Sequence, residues 1–303
     1  MAASGLKASD LRAFDLAAAG QSVGLTMASD GVLSDESGAL VIKPCTAREV
    51  AFYTSAAEHP KFQKWMPTFF GTLELSGQET TGEPVTHDRT ASIVLQNLAY
   101  GFGKACVLDI KLGAQLWDDE APQAKRDRLD AVSDATTSRP LGMRIAGMKV
   151  WKGEASGGYK VFDKHYGRTF TADNCLEAVK EYFAADINEE QKKLIAERFL
   201  KKVAEIREVL EAQESRMYSA SLLFVYEGDG KVLETALGEE EENAKKPPKG
   251  EDDESEEDEK VKKVEELKLI DFAHANWAPG KGPDENALQG VRSAERLLAE
   301  LVQ

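Results

Sequence analysis

The architecture of this chain follows from VLDIKLG at residues 107–113, an apolar strand that carries two charges. Successive side chains of a strand face opposite ways, so Asp109 and Lys111 point to one side while Ile110 points to the other. A buried carboxylate and ammonium are costly unless a charged ligand requires them. LIDFAH at residues 269–274 is a second apolar strand that exposes an Asp at its end. Together the two strands predict a site for a metal and a nucleotide.

Each of these strands has a simpler interpretation. An Asp-x-Lys pattern on a strand is more often an exposed edge pair than a catalytic pair. An Asp-Phe pair at the end of a strand is often part of a turn. The functional interpretation is favoured because Lys43 ends a third apolar strand, so that two lysines and two aspartates accompany three predicted strands.

The composition is that of a soluble globular protein, with 303 residues, of which 42% are hydrophobic and 30% charged. One or two domains are expected, and no apolar run is long enough to span a bilayer. The Ala-rich N-terminus is broken by charges and lacks the apolar region of a signal peptide. Cys45, Cys106 and Cys175 are scattered, without a CxxC pair. They predict free thiols in an intracellular protein rather than a disulfide framework or a zinc site.

The net charge of −15 is unevenly distributed. Residues 239–266 are dominated by Glu, Asp, Lys and Pro around an acidic run at 251–259, and this composition predicts a disordered insert. Basic residues gather at 125–128, 139–152 and 160–168. An anionic small molecule can be held there despite the overall sign, whereas direct binding of nucleic acid is not expected.

Hydrophobic periodicity predicts two unequal lobes, residues 1–99 and 100–303, joined by the glycine-punctuated stretch at 99–104. The first lobe is predicted to be a small sheet with few helices, and the second to contain a long amphipathic helix. The predicted helices cover 9–19, 46–59, 122–135, a stretch opened by Thr171, 188–214 and 284–301. The predicted strands cover 39–43 (which Pro44 prevents from continuing as an inner strand), 68–75, 92–98, 107–113, 142–150, 222–226 and 267–272.

Phosphoryl transfer requires a lysine on the nucleotide phosphates, a carboxylate that holds Mg²⁺ and a group that positions the acceptor hydroxyl. Two lobes also provide a cleft for the reaction. The chain has neither a GxxxxGK[ST] loop nor a GxGxxG fingerprint, which excludes P-loop and Rossmann enzymes. It also lacks the His-Arg-Asp and Asp-Phe-Gly motifs of ordinary protein kinases.

Several motifs resemble, in the right order, those of the inositol polyphosphate kinase family. The family hallmark PxxxDxKxG is matched at Asp109, Lys111 and Gly113, although Ala105 replaces the proline. The other matching stretches are VIKP (41–44), LGMRIAGM (141–148), HYGR (165–168), ASLL (220–223, with one substitution) and IDFAH (270–274). The resemblance implies an α+β, two-lobed fold, distantly similar to protein kinases, with an ATP cleft between the lobes. Within the family the chain looks most similar to the fungal multikinases.

By position, the resemblance implies a nucleotide side of the site. Lys43 would contact the phosphates of ATP, and Asp271 would ligate Mg²⁺. Asp109 would take part in nucleotide binding and catalysis. The adenine would form hydrogen bonds at the hinge, which is the strand at 95–98 that leads from the first lobe to the second. Gln96 and Leu98 would make these contacts, although relatives often carry Glu where this chain has Gln96.

The resemblance also implies a substrate side. Clustered lysines and arginines suit a polyanionic sugar because they form charge-assisted hydrogen bonds. The alternative for such a cluster is a solvated helix surface, and the alternative for a histidine is a packed side chain. Lys111 would meet the substrate and the transferring phosphoryl group. The other implied contacts are His274 and, within the binding segment 117–139, Lys125, Arg126 and Arg128.

The activity implied is transfer of the γ-phosphoryl group of ATP, with Mg²⁺, to the 6- and 3-hydroxyls of inositol 1,4,5-trisphosphate and its tetrakisphosphate product, giving the pentakisphosphate. An inositol trisphosphate 3-kinase and an inositol hexakisphosphate kinase are the alternatives within the family. From a different class, the acidic run suggests a nuclear scaffold with transcription-regulator partners, against the simpler alternative of a solubilising loop. Nuclear and cytoplasmic locations are expected.

Overall fold

The computed structural model of the protein describes residues 11–13, 32–73, 91–245 and 262–303. Two five-stranded sheets and their helices form the described part, which confirms the α+β class and the two-lobed arrangement. None of the described helices combines the length and the apolar character that crossing a membrane requires.

Two antiparallel sheets and a short ribbon contain all the strands described. The strands are β1 (Leu11–Ala13), β2 (Leu33–Asp35), β3 (Leu40–Cys45), β4 (Phe69–Leu73), β5 (Ala91–Gln96), β6 (Ala105–Leu112), β7 (Met143–Trp151), β8 (Tyr159–Phe162), β9 (Ser215–Met217), β10 (Ser221–Glu227), β11 (Glu265–Ile270) and β12 (Ala275–Trp277). The first sheet has the order β1-β2-β3-β5-β4, and the second has the order β11-β10-β6-β7-β8. β9 and β12 form the ribbon.

The helices of the described part belong mostly to the second lobe. They are α1 (Ala47–Ser55), α2 (Pro60–Gln63), α3 (Gln123–Asp134), α4 (Ser138–Leu141), α5 (Lys164–Gly167), α6 (Cys175–Tyr182), α7 (Glu189–Ala212), α8 (Gly230–Lys245) and α9 (Glu285–Val302), with short 3₁₀ turns at Ala56–Glu58 and Glu154–Ser156. The stripe predicted for α7 is confirmed as core, although Leu194 is only half-buried. Its buried members are Ile195, Phe199, Val203, Ile206 and Leu210.

Two predictions for the first lobe need correction. Residues 11–13 pair with β2, so the helix predicted over 9–19 is wrong there, and the rest of that prediction lies outside the described residues. Sheet pairing outweighs the helix propensity of an Ala-rich stretch. β3 ends at Cys45, two residues beyond the predicted end, but the prediction that Pro44 cannot continue as an inner strand is confirmed. Beyond Ile42 its partner is β5 alone, so the missing N–H of Pro44 costs no bond to β2.

β6 lies in the middle of the second sheet, between β10 and β7, and all eight of its residues are buried. Alternate residues from Cys106 to Leu112 join the main core, while Ala105 and Val107 join a smaller apolar cluster on the other face. The predicted alternation therefore places Asp109 and Lys111 on the face that carries Val107. This face borders the first lobe, so the charged pair is directed away from the core.

The acidic insert is more ordered at its ends than its composition predicts. The disorder predicted for 239–266 is wrong at both ends, because 239–245 continue α8 and 265–266 begin β11. Glu240 pairs with Arg198 of α7 at 2.8 Å, and such a cation on a neighbouring helix cannot be read from composition. The centre of the insert, with its acidic run, lies outside the described residues.

Candidate active site

A cleft lies between the two sheets, where the chain passes from β5 to β6. One end of the cleft carries Lys43, Asp109 and Asp271. Apolar side chains from both lobes form its walls, namely Val41, Leu95, Val107, Leu223, Val225 and Ile270. An apolar slot that ends in charged groups suits a flat ring with an anionic tail.

Lys43 is held between two carboxylates. Its Nζ donates to Asp271 Oδ1 at 2.9 Å and to Glu49 Oε1 at 3.1 Å. Burial alone would lower the pKa of Lys43, but the two carboxylates outweigh burial and raise the pKa. Lys43 is therefore a fixed cation at the end of the cleft.

Glu49 is a residue of the site that the sequence placed only within the helix predicted over 46–59. Thr46 does cap α1, since its side chain accepts a hydrogen bond from the Glu49 N–H. The Glu49 side chain, however, contacts Lys43 across the start of the helix. A signal was available, because protein kinases hold their phosphate-binding lysine with a glutamate from the next helix.

Asp271 follows β11 with left-handed backbone angles, at φ 66°. Aspartate tolerates this region better than most residues, so the turn is compatible with a carboxylate at this position. The next residue, Phe272, is fully buried and packs on Phe52 and Tyr53 of α1, with ring centroids 5.0 and 5.4 Å apart. These aromatic contacts attach the turn to the first lobe and explain why Asp271 reaches Lys43.

Lys111 reaches the same carboxylate from the second lobe. Its Nζ lies 3.7 Å from Asp271 Oδ2 and donates to the Ser219 carbonyl at 2.8 Å. Burial would raise the pKa of Asp271, but Lys43 and Lys111 outweigh it and keep the pKa below its usual value. Asp271 is therefore an anion shared by two lysines from different lobes.

Asp109 is fully buried, and neither of its carboxylate oxygens has a hydrogen-bond partner within the described part of the chain. Burial raises the pKa of Asp109 to about 6, although the charge of Lys111 acts in the opposite direction. An unpaired buried carboxylate is costly and is typical of functional positions. Asp109 therefore has acceptor capacity that the fold leaves unused.

The structure explains why position 113 of the hallmark motif is a glycine. Its φ is 96°, and a Cβ there would lie 2.5 Å from Asn286 Nδ2 and 3.0 Å from the Gln115 carbonyl. Only glycine fits this turn, which leads the chain from β6 toward α3. The hallmark glycine therefore fixes the direction of the segment that follows the charged strand.

The predicted hinge residues differ in how their polar groups are used. The Gln96 side chain accepts from the Thr68 hydroxyl at 3.1 Å, so it is engaged within the first lobe. The Leu98 N–H, by contrast, donates to no backbone carbonyl of the described residues. Both residues line the cleft. Their roles in binding adenine stay predictions.

The three basic residues predicted on α3 are not equivalent, and none of them lines the cleft. Arg126 donates to the carbonyls of Ala121 and Asp119 and lies over the Trp117 ring, with Cζ 4.7 Å from its centroid. Its guanidinium thus supports its own segment. Lys125 and Arg128 have no ion pair with any described residue. Their roles in substrate binding stay predictions.

His274 is predicted to contact the substrate, and it lies beside an aspartate that the sequence analysis did not single out. Its Nδ1 lies 2.7 Å from Asp118 Oδ2, and the same oxygen accepts from Arg48 Nη1 at 2.9 Å. Asp118 is buried, whereas the His274 side chain is 38% exposed. No sequence signal joins these three residues, since they are far apart in the chain.

A further basic pair lies near the charged strand. Arg144 pairs with Lys111 in the register of β7 with β6, and its Nη1 donates to Ser138 Oγ at 3.1 Å. Burial and the charge of Arg168 both lower the pKa of Arg144, whereas Asp109 opposes them. Two guanidinium groups that repel each other are typical of a place where an anion binds.

A divalent ion would need help from a ligand at this site. The described residues contain no group of three or more His, Cys, Asp or Glu side chains placed to hold a metal. Mg²⁺ that travels with a nucleotide needs only one or two carboxylates, because the phosphates supply other ligands. Asp271 and the unpaired oxygens of Asp109 meet that smaller requirement.

Comparison with known proteins gives consistent results. The model of the inositol polyphosphate kinase family matches residues 92–299. The inositol polyphosphate multikinase of Saccharomyces cerevisiae is 32% identical over 331 aligned residues, covering 87% of this chain and 93% of the relative. That of Schizosaccharomyces pombe is 32% identical, covering 90% and 94%. A crystal structure of the S. cerevisiae inositol phosphate multikinase with ADP and Mn²⁺ has a TM-score of 0.71 and 32% identity, covering 88% of this chain and all of that one.

The family model covers more than half of the chain, and the two multikinases cover 87% and 90% of it, so the chain belongs to the inositol polyphosphate kinase family.

Proposed function

We propose that this protein transfers the γ-phosphoryl group of ATP to hydroxyl groups of inositol phosphates, and that it acts as a multikinase. One observation carries the proposal: Lys43, Asp109 and Asp271 come from two lobes and line the same apolar cleft, and Lys111 contacts Asp271 beside it. A family relative that binds ADP and Mn²⁺ supports the use of ATP and a divalent ion.

We propose one orientation for ATP in the cleft. The adenine lies between the apolar walls and receives a hydrogen bond from the Leu98 N–H. The triphosphate then extends toward Lys43, whose position is held by Glu49. Asp271 is placed to hold Mg²⁺, an ion that neutralises charge on the phosphates during transfer. Because Asp271 also contacts both lysines, it keeps the two cations near the phosphates.

The acceptor hydroxyl approaches from the side of Lys111. The unpaired oxygens of Asp109 are available to accept the hydrogen of that hydroxyl, which orients its oxygen toward the γ-phosphorus. Phosphoryl transfer has a loose transition state and needs little help from a base, so orientation is the main contribution of Asp109. Lys111 and Arg144 balance charge that the substrate phosphates bring.

The choice of substrate rests on the segment between Trp117 and Arg139. It contains only α3 and the start of α4, and Lys125 and Arg128 are its cations whose side chains have neither an ion pair nor a hydrogen bond with any described residue. A short segment with loosely held cations suits a site that accepts several orientations of an inositol ring. We therefore propose sequential phosphorylation of inositol 1,4,5-trisphosphate at the 6- and 3-hydroxyls.

The test is a product profile. Purified protein is incubated with Mg²⁺, ATP and inositol phosphates of increasing phosphorylation, and the products are separated. The proposal expects a tetrakisphosphate followed by a pentakisphosphate. A single tetrakisphosphate would instead identify a 3-kinase, and a pyrophosphate made from inositol hexakisphosphate would identify a hexakisphosphate kinase. If no inositol phosphate gained a further phosphoryl group, the proposal would be overturned.

A further inference from the structure

Asp118 has an unusual position for a residue outside the cleft. It is 7% exposed, and one of its oxygens, Oδ2, faces both His274 Nδ1 at 2.7 Å and Arg48 Nη1 at 2.9 Å. The three residues come from the segment after β6, from the turn before β12 and from the first turn of α1. A single carboxylate oxygen therefore joins three separate parts of the chain.

The charge of Asp118 determines which nitrogen of His274 carries a hydrogen. Burial would raise the pKa of Asp118, but the hydrogen bond to His274 and the charge of Arg48 outweigh it and lower the pKa. An anionic oxygen at 2.7 Å requires a donor, so Nδ1 must be protonated. The other nitrogen, Nε2, has no hydrogen-bond partner among the described residues, and the His274 side chain is 38% exposed.

We propose that Asp118 is a positioning residue for inositol phosphate binding, which holds His274 by Nδ1 and presents Nε2 to a phosphate group. This inference rests on the proposed function. A phosphate oxygen needs a donor, so the ring binds as an imidazolium with both nitrogens donating. Asp118 balances that charge on the side away from the phosphate, as a carboxylate commonly does behind a ligand-binding histidine.

Arg48 connects Asp118 to the helix that also holds the nucleotide side of the site. Arg48 and Glu49 are adjacent in the first turn of α1, and Glu49 holds Lys43 on the nucleotide side. The same helical turn thus supports one residue on each side of the site. Arg48 also contacts Glu120, whose side chain is 76% exposed and does not touch His274. Glu120 therefore offers a matched control for Asp118.

Steady-state kinetics with inositol 1,4,5-trisphosphate test the proposal. Asp118→Asn keeps the size of the side chain and removes its charge. It should raise KM for the inositol phosphate about tenfold, a typical loss when a histidine loses its orienting carboxylate. KM for ATP should stay within about twofold, because Lys43 and Asp271 are untouched. Glu120→Gln should leave both constants within about twofold.

A double-mutant cycle separates positioning from general stability. If Asp118 acts through His274, the double variant Asp118→Asn with His274→Ala should have nearly the KM of His274→Ala alone. Two effects that simply multiply would overturn the proposal, as would an equal rise in KM for ATP.

A measurement without turnover keeps this inference separate from the proposed function. The chain has four histidines, so their imidazole ¹⁵N signals can be assigned. In the parent protein without ligand, His274 should carry its hydrogen on Nδ1, and Asp118→Asn should shift the population toward Nε2. A parent protein with Nε2 protonated and Nδ1 bare would overturn the role of Asp118, whatever the kinase assay shows. Normal tautomer behaviour without any inositol phosphate turnover would count against the proposed function alone.

Discussion

The nucleotide side and the inositol phosphate side of the candidate site hold their charges in different ways. On the nucleotide side, Lys43, Glu49 and Asp271 are paired at 2.9 and 3.1 Å, and Asp109 is fully buried. On the other side, Arg128 is exposed and without an ion pair among the described residues. Charges in a buried environment interact strongly, whereas exposed charges are screened by water and salt.

This difference predicts where substitutions should matter. A charge fixed by buried partners is already oriented before ligand arrives, so its removal should affect the chemical step. A solvated cation must be ordered by the substrate itself, so its removal should affect affinity only modestly. The predictions below test that division, beginning with the residue that both lysines share.

Asp271→Asn should have the largest effect. Asparagine also tolerates the left-handed backbone at this position, so the fold should be kept while the charge is lost. We expect kcat to fall about thousandfold, because a ligand of the phosphate-bound ion contributes several kcal/mol to the transition state. Steady-state kinetics at saturating Mg²⁺ measure this. A variant with near-normal kcat would show that the paired side is not the catalytic side.

Asp109→Asn should lower kcat about a hundredfold, yet stabilise the protein without ligands. The pKa of Asp109 is raised from 3.8 to about 6, so the ionised carboxylate penalises the folded state above pH 6. The penalty shrinks as the pH falls through 6 and is gone below about 4. We expect the variant to gain about 2 kcal/mol at pH 8, since a two-unit shift is about 3 kcal/mol and the buried amide still lacks partners.

Chemical denaturation at several pH values, without nucleotide or metal, checks this stability effect. The gain should decline between pH 7 and pH 4, because the parent protein becomes protonated at Asp109 while the variant does not titrate there. A gain that is independent of pH would contradict the idea that Asp109 is an unpaired buried anion.

Glu49→Gln should have an intermediate effect. Lys43 keeps Asp271 but loses its second carboxylate, so the ammonium is held less firmly. We expect KM for ATP to rise about tenfold with a smaller change in kcat. Glu58→Gln, an exposed position just after α1, makes the same change of charge and serves as the control. Equal behaviour of the two variants would remove Glu49 from the site.

Arg128→Ala should affect substrate binding, whereas Arg126→Ala should affect stability. Arg128 is exposed, and its loss should raise KM for the inositol phosphate about threefold, with less effect at high salt. Arg126 donates to two carbonyls and covers Trp117, so its loss should lower the free energy of unfolding by about 1 kcal/mol. Kinetics at two ionic strengths and thermal unfolding separate the two outcomes. A stability loss at Arg128 instead would contradict the assignment of free cations on α3.

The acidic run should have the smallest effect on catalysis. We propose replacing residues 251–259 with glycine and serine at equal length, because the flanking segments at 239–245 and 265–266 belong to α8 and β11. Turnover should stay within about twofold, because none of the residues that form the candidate site belongs to this segment. Loss of binding to basic nuclear proteins, with turnover intact, would support a separate docking role.

Much of this protein could be predicted from local patterns. The alternation of VLDIKLG places Asp109 and Lys111 on one face, and the stripe of α7 is core, because both depend only on the period of a strand or helix. The separate motifs, in order, were enough to indicate the family. The predicted helix was wrong at 11–13 and the predicted disorder was wrong at both ends of the insert, because sheet pairing and ion pairs with distant residues outweigh local composition.

Contacts between lobes needed the folded chain. Phe272 anchors the turn of Asp271 to α1, and Asp118 joins Arg48 to His274, although nothing in their spacing links them. The burial that raises the pKa of Asp109 is likewise set by neighbours from other strands. The residue types and their order in the sequence therefore determined which chemical groups are present. The tertiary structure determined which charges contact each other, because distances and the dielectric environment exist only after folding.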